Sequence, residues 1–364
     1  MPAPLAGFRI GITGDRRSEE QAELLLRRGA EVVHAPVMHT DLLTDADATL
    51  AATHAVLAAG IDVVVLTTGI GTRSWFGVAE VAGLDEDLRE ACGRAAVLAR
   101  GPKARSVAGA NGLEVAWAAP GETGAEVLER LSQMDLAGRR VAVQRDGGEP
   151  TLAAAIRSLG AEVVDVPVYR WHPPEDPTRA VRLLEAAVAG RLHALTFTCA
   201  YAVGSAFELA SDPDALRAAL GGPVVPVAVG PVTAAALRAH GIEQVVTPAR
   251  ARLGAMVQAA VRELSRRHRI LTDGHVELRW QGDLLAGPDG TTAMLTAKEH
   301  EVLSVLLERA PGVVAKQALV SGTADAHAAE AVVGRLRAKL GPLAPALRTV
   351  PRRGYALHLT ETSG

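Results

Sequence analysis

The sequence predicts an α/β protein with two similar lobes built on parallel sheets, followed by a C-terminal module of a different kind. Three observations predict it: an internal repeat, short apolar runs alternating with amphipathic helical stretches, and an abrupt change of pattern after Arg262. A chain of 364 residues exceeds the usual size of one domain, so more than one core is expected.

The repeat sets the organisation. GFRIGITGDRRSEEQAELLLRRGAEVVHAPV, Gly7 to Val37, reappears as GRRVAVQRDGGEPTLAAAIRSLGAEVVDVPV, Gly138 to Val168, with the two GAEVV runs at Gly29 and Gly160 in register. DVVVLTTG from Asp62 matches HALTFTCA from His193, and the block beginning Gly101-Pro102 matches the one beginning Gly230-Pro231. The runs RIGITG, AEVVHAPV, VVVLTT, VAVQR, ALTFTC and VPVAVG are short, apolar and rich in β-branched residues, as strands buried on both faces of a parallel sheet must be. Between them, stretches such as Glu19 to Arg28 place Ala22, Leu25 and Leu26 on one helical face. Ligands of open parallel sheets bind beyond the carboxyl ends of the strands, and two such lobes facing one another make a cleft.

Composition narrows the class. At 48% hydrophobic and 22% charged, the chain is ordinary globular protein. No stretch approaches a membrane span and the N-terminus lacks a leader pattern, so a cytoplasmic location without membrane contact is expected. Cys92 and Cys199 lie far apart with no CxxC, which predicts buried structural thiols and no metal site. A net charge of −3 gives no global attraction to nucleic acid, so any DNA binding requires a local patch. TTGIGTRS does not complete a dinucleotide-binding glycine pattern, and Asp62 precedes its strand, where a phosphate-accepting receiver needs the aspartate after it.

Five motifs carry a family resemblance: GAEVV-x-x-P, D-x-V-V-x-T-T at Asp62 to Thr68, VPVYR at Val166 to Arg170, FTCAYAV at Phe197 to Val203, and VAVGPVTAAAL-x-x-x-G at Val227 to Gly241. Residues 7 to about 262 resemble uroporphyrinogen-III synthases. The resemblance implies two flavodoxin-like lobes that are not sequential: lobe one from 1–38 with 172–265, lobe two from 39–171, joined by two crossing strands. It also implies cyclisation of hydroxymethylbilane with inversion of its last ring, without a cofactor, largely by positioning a polycarboxylate substrate. Such a site needs backbone N–H groups, hydroxyls and cations facing carboxylates. By resemblance, the substrate-binding candidates are Thr67, Thr68, Lys103 and Thr198, and the catalytic candidates are Tyr169 and Thr233, the phenol being able to protonate the departing hydroxyl. The alternatives are that Tyr169 packs at a lobe boundary and that Thr233 caps the helix after Gly230-Pro231. After the third strand the chain runs Thr68-Gly69-Ile70-Gly71-Thr72, without the serine or the basic residue usual in the family.

From Ile270 to Leu295 short strands with turn pairs are expected at Asp273-Gly274, Gly282-Asp283 and Asp289-Gly290. Thr296 is placed to N-cap a helix from Ala297, with Glu299 as reciprocal partner and Leu303, Leu306 and Leu307 on its apolar face. A second helix from His327 buries Ala331, Val332, Leu336 and Leu340. Between Ala326 and Leu357 stand six Arg or Lys against one acidic residue. The pattern LT-x-x-E, P-G-x-V, LR-x-KL and TV-x-x-x-GY resembles the OmpR/PhoB-type winged helix, so residues 266–364 are expected to form a linker and a DNA-binding domain. The resemblance implies that the second helix enters the major groove, with Arg335 and Lys339 on phosphates or bases and His327 and Glu330 reading bases. Arg352 and Arg353 would lie on a wing, and Arg337 either contacts DNA or braces the helix. Ser321 to Asp325 lacks the aromatic and basic residues common there, so contact with RNA polymerase or with a second protomer on DNA would differ.

The combined expectation is a transcriptional regulator binding double-stranded DNA, with a synthase-like sensor for a tetrapyrrole or other small anionic ligand. The alternatives are a working synthase carrying a DNA-binding module, and a scaffold with neither activity.

Overall fold

The structure, a computed structural model, describes residues 2–41, 46–145, 151–319 and 326–363, with only the backbone described at 326–328 and 363. The chain begins β1 (Arg9–Ile12), α1 (Ser18–Leu26), β2 (Glu31–His34), β3 (His39–Asp41), α2 (Ala46–Ala59), β4 (Val63–Leu66), α3 (Gly69–Val81), α4 (Asp85–Arg94), β5 (Ala96–Ala99) and α5 (Pro102–Ala110). Next come β6 (Trp117–Ala118), α6 (Gly124–Ser132), β7 (Arg140–Arg145), α7 (Thr151–Ser158), β8 (Glu162–Pro167), β9 (Arg170–His172), α8 (Thr178–Val188), β10 (Ala194–Phe197), α9 (Ala200–Leu209), α10 (Pro213–Leu220), β11 (Val225–Ala228), α11 (Pro231–Ala239) and α12 (Leu253–Ser265). The C-terminal region holds β12 (Arg269–Thr272), β13 (Glu277–Gln281), β14 (Leu284–Ala286), β15 (Thr292–Met294), α13 (Ala297–Glu308), β16 (Val313–Val314), α14 (Ala326–Lys339), β17 (Leu347–Val350), β18 (Gly354–Leu357) and β19 (Thr360–Ser363). No helix among the described residues is long and apolar enough to cross a membrane.

Two compact units result, Met1–Val37 with Glu175–Gly364, and Met38–Pro174. The first contains a parallel sheet in the order β11-β10-β1-β2, the second a parallel sheet in the order β6-β5-β4-β7-β8. Under the sequence repeat, β11 corresponds to β5, β10 to β4, β1 to β7 and β2 to β8. Each sheet therefore takes two strands from each half of the repeat, in the same order, with β6 added at one edge. Near the boundary residues, β3 pairs antiparallel with β9.

The continuous apolar runs follow from burial on both faces. In β4, Val64 and Leu66 join the core with Trp75 and Leu88, whereas Val63 and Val65 join the core with Val127 and Ile156. In the other lobe Ile10, Ile12, Val225 and Val227 pack against Leu25, Met256 and Leu264. The expected face of α1 needs correction. Leu26 is 56% exposed, and Gln21 points inward instead, its Nε2 donating to Thr196 Oγ1 at 2.7 Å. The spacing of Gln21 and Leu25 defines the buried stripe, and the amide is tolerated there because it is hydrogen-bonded.

The C-terminal region carries more strand than the sequence led us to expect. Its sheet runs β15-β14-β13-β12-β19, all antiparallel, and a smaller one runs β16-β18-β17. Leu278, Trp280, Val302, Leu306, Leu336 and Leu347 share one core. Thr296 N-caps α13 in a full capping box, with Thr296 N–H donating to Glu299 Oε2 at 2.8 Å.

Only Arg266 to His268 separate α12 from β12, so no long linker intervenes. The region docks directly on the first lobe. Asp283 N–H donates to Gly7 O at 2.8 Å, and buried Gln281 Nε2 donates to the carbonyls of Ala3, Pro4 and Ala6. Gly7 and Gly282 both have positive φ, and a Cβ on either would sit 2.4 Å from a backbone oxygen of the other side, so this contact requires glycine.

Candidate functional site

At the carboxyl end of β4 lie Thr67 and Thr68. Thr67 is buried and donates to Gln144 O at 3.2 Å, while Thr68 N-caps α3 by accepting from Gly71 N–H. At the end of β5, α5 starts at Pro102 with Gly101 as N-cap and no side-chain cap, which leaves first-turn N–H groups available to an anion. Lys103 is exposed in that first turn. The repeat reproduces the arrangement in the first lobe: half-buried Thr198 follows β10, and α11 starts at Pro231 with Gly230 as an uncapped N-cap.

Within the second unit, Thr67, Arg100, Gln144, Arg145 and Asp165 line a cavity of about 130 Å³. Arg100 and Arg145 were not anticipated. Arg100 follows directly on the apolar run of β5 and Arg145 is the last residue of β7, and that position at a strand's carboxyl end was the available signal. Asp165 on β8 lies 3.8 Å from Arg145, and its Oδ1 is buried without a hydrogen-bond partner among the described residues. Burial raises the Asp165 carboxyl, with Arg145 and Arg157 opposing. The cavity lining thus brings two arginines and the Asp165 carboxyl together near the strand ends, over the buried, hydrogen-bonded side chains of Thr67 and Gln144.

The two catalytic candidates are placed less favourably. Tyr169 is buried in the second unit's core, its ring 5.9 Å from that of Trp171. Thr233 is also buried, within the first turn of α11, and is not the cap of that helix: Gly230 holds the N-cap position. The structure brings Thr67, Thr68 and Lys103 to one end of one sheet, and Thr198 and Thr233 to the corresponding end of the other.

In the C-terminal region most expected DNA contacts already have partners. Arg335 Nε donates to Glu299 Oε1 at 3.3 Å and Lys339 Nζ to Glu299 Oε2 at 2.5 Å, on a carboxylate with no exposed surface. Arg337 donates to Leu347 O at 2.9 Å and to Thr349 Oγ1 at 3.2 Å, which braces α14 against β17. Glu330 pairs with Lys316. The side chain of His327 and the stretch Ser321 to Asp325 lie outside the described residues. Exposed cations are left at Arg348 and at the β17–β18 turn, where Arg352 and Arg353 stand.

The two thiols fill small structural roles. Burial pushes Cys92 up to about 12, and half-buried Cys199 N-caps α9. Asp62 accepts from Arg140 N–H and from Arg139, tying the start of β4 to β7. Among the described residues, His193, Asp283 and His300 bring side-chain N and O atoms within 4.8 Å of one another.

Known proteins resemble the α/β region. The family described as uroporphyrinogen-III synthase HemD matches residues 19–258. A mutant uroporphyrinogen III synthase from Thermus thermophilus superposes with a TM-score of 0.62 at 33% identity, over 71% of this chain and 100% of that one. Among curated proteins, the uncharacterized protein YjjA of Bacillus subtilis (strain 168) is 30% identical over 266 residues, covering 71% of this chain and 96% of that protein. A putative uroporphyrinogen-III synthase of Methanothermobacter thermautotrophicus is 29% identical over 250 residues, 67% of this chain and 93% of that protein. With its doubled βαβ pattern, interleaved lobes and a family match spanning most of its length, the chain belongs to the uroporphyrinogen-III synthase family.

Proposed function

We propose that the synthase-like region cyclises hydroxymethylbilane to uroporphyrinogen III, with the C-terminal region attached as a separate activity. This ranks the enzyme ahead of a sensor, because the family match carries a reaction. The observation that supports the reading most is the cavity holding Arg100 and Arg145 beside Thr67 and Gln144. At about 130 Å³ it has room for a carboxylate side arm of the substrate, given roughly 10–15 Å³ of such space per water-sized group. Anchoring side arms at strand ends and helix N-termini would hold the termini of the linear substrate together. The terminal hydroxyl leaves as water and needs a proton there. Replacing both Arg100 and Arg145 with Ala should raise KM for hydroxymethylbilane at least about tenfold, the scale of one lost charge-assisted contact. An unchanged KM would remove this cavity from the site.

A second reading rests on the hairpin β17–β18 and helix α14: the C-terminal region acts as a winged helix that binds double-stranded DNA. Exposed Arg348, Arg352 and Arg353 support it. Because Arg335, Arg337 and Lys339 are engaged within the protein, the hairpin supplies most of the phosphate contact in this reading. Titration of a generic duplex with the full chain tests it, and absence of binding at low salt would refute it.

A further inference from the structure

We propose that His193, Asp283 and His300 form a proton-sensitive latch that holds the C-terminal region on the first lobe and loosens it in mild acid. His193 belongs to the lobe, just before β10, whereas Asp283 and His300 belong to the docked region. Asp283 Oδ1 lies 2.9 Å from His300 Nδ1 and 3.8 Å from His193 Nε2. Its backbone N–H makes the junction bond to Gly7 O. The cluster therefore sits on the docking contact itself, at the amino end of β10 and away from the strand ends that carry Thr198.

The hydrogen bonding fixes the tautomer. His193 Nδ1 lies 3.0 Å from Arg9 N–H and accepts from it, so a neutral ring carries its proton on Nε2, facing Asp283. A metal ion would need the Nε2 lone pair, and the displaced proton would have to move to Nδ1, against the Arg9 N–H. This tells against the cluster as a metal site, although its atoms are close enough. Adding a proton to His193 meets the same obstacle. Nδ1 is the atom that would be protonated, and it too faces Arg9 N–H. The ring packs edge-on against Phe8, 5.3 Å between centroids, and His300 packs against Trp280.

The charged groups facing the imidazole are Asp283 and His300 from the docked region and Arg9 from β1, whose guanidinium pairs with Glu31. Burial pushes His193 below its ordinary value; Asp283 opposes this, while the charges of His300 and of the Arg9 guanidinium add to it. Docking thus favours the neutral ring. Released into water, it regains an ordinary value of about 6.5. The latch contribution is therefore complete above about pH 6.5 and is lost as pH falls toward the depressed value, by up to roughly tenfold in the docking equilibrium per pH unit.

Hydrogen exchange on the full chain reads the latch through the Asp283 amide, corrected for intrinsic rates. Protection should fall as pH drops from about 7.5 to about 5.5, by at most about tenfold per unit below about 6.5. In His193→Asn, where the amide oxygen can still accept from Arg9 but cannot titrate in this range, protection should stay flat. A wild-type profile without the fall, or an unaltered fall in His193→Asn, would overturn the proposal. Should the variant fail to dock, titration of the His193 ring by NMR in the wild-type chain decides: a midpoint below about 6.5 supports the latch and one above it overturns it. Zn²⁺ that raises Asp283 protection at about pH 7.5, reversibly by chelation, would replace the latch with a metal staple.

Discussion

Lys339 on α14 donates to Glu299 on α13 across 2.5 Å, and that carboxylate also closes the capping box of its own helix. One buried acid thus ties together the start of α13 and the end of α14. Glu299→Ala removes the cap and leaves Lys339 and Arg335 without their partner. The C-terminal region should lose about 2 kcal/mol, most of it from the cap and from Lys339, because Arg335 is largely exposed. Glu299→Gln, which can still cap, should lose about half as much. Denaturant unfolding of both variants checks the ratio.

The same carboxylate predicts an acid response. Burial alone would raise it, but Lys339 and the Thr296 N–H hold it below its ordinary value. Its contribution is therefore complete above the unfolded carboxylate value of about 4.3 and is lost as pH falls through the lower, folded value. Acid unfolding of the wild type should show this dependence, and Glu299→Gln should flatten it.

Gly354 has φ +134°, and a Cβ there would lie 1.9 Å from Val314 O. Gly354→Ala should cost more than about 2 kcal/mol by splitting β16 from β18, while Gly334→Ala on the open face of α14, where a Cβ meets nothing, should be neutral or stabilising. Thermal unfolding of the two variants separates them.

If the hairpin grips phosphates, replacing Arg352 and Arg353 with Ala should lower duplex affinity and reduce the slope of log K against log salt by about 2, one for each lost contact. Arg337→Ala should instead lower stability, since its guanidinium holds Leu347 O and Thr349. Paired salt titrations and melting curves distinguish the two roles.

The parallel strands could be read from the chain because a parallel sheet buried on both faces writes its strands as unbroken apolar runs, and the duplicated GAEVV runs fix which strands correspond. Thr296 and Glu299 were legible for a similar reason: capping is local, set by residues three apart. Gln21 was not, since an inward amide looks polar until its partner Thr196 is seen. The engagement of Arg335 and Lys339 escaped notice because it depends on how two helices cross. The contact of Gly7 with Gly282 and Asp283, residues about three quarters of the chain apart, leaves no trace in either local pattern. Arg100 and Arg145 were visible only as residues at the carboxyl ends of strands.

The most direct test of the enzyme assignment is to incubate the purified chain with freshly generated hydroxymethylbilane, oxidise the products and separate the uroporphyrin isomers. Isomer III in excess over a protein-free control is the predicted result, and isomer I alone would contradict the assignment.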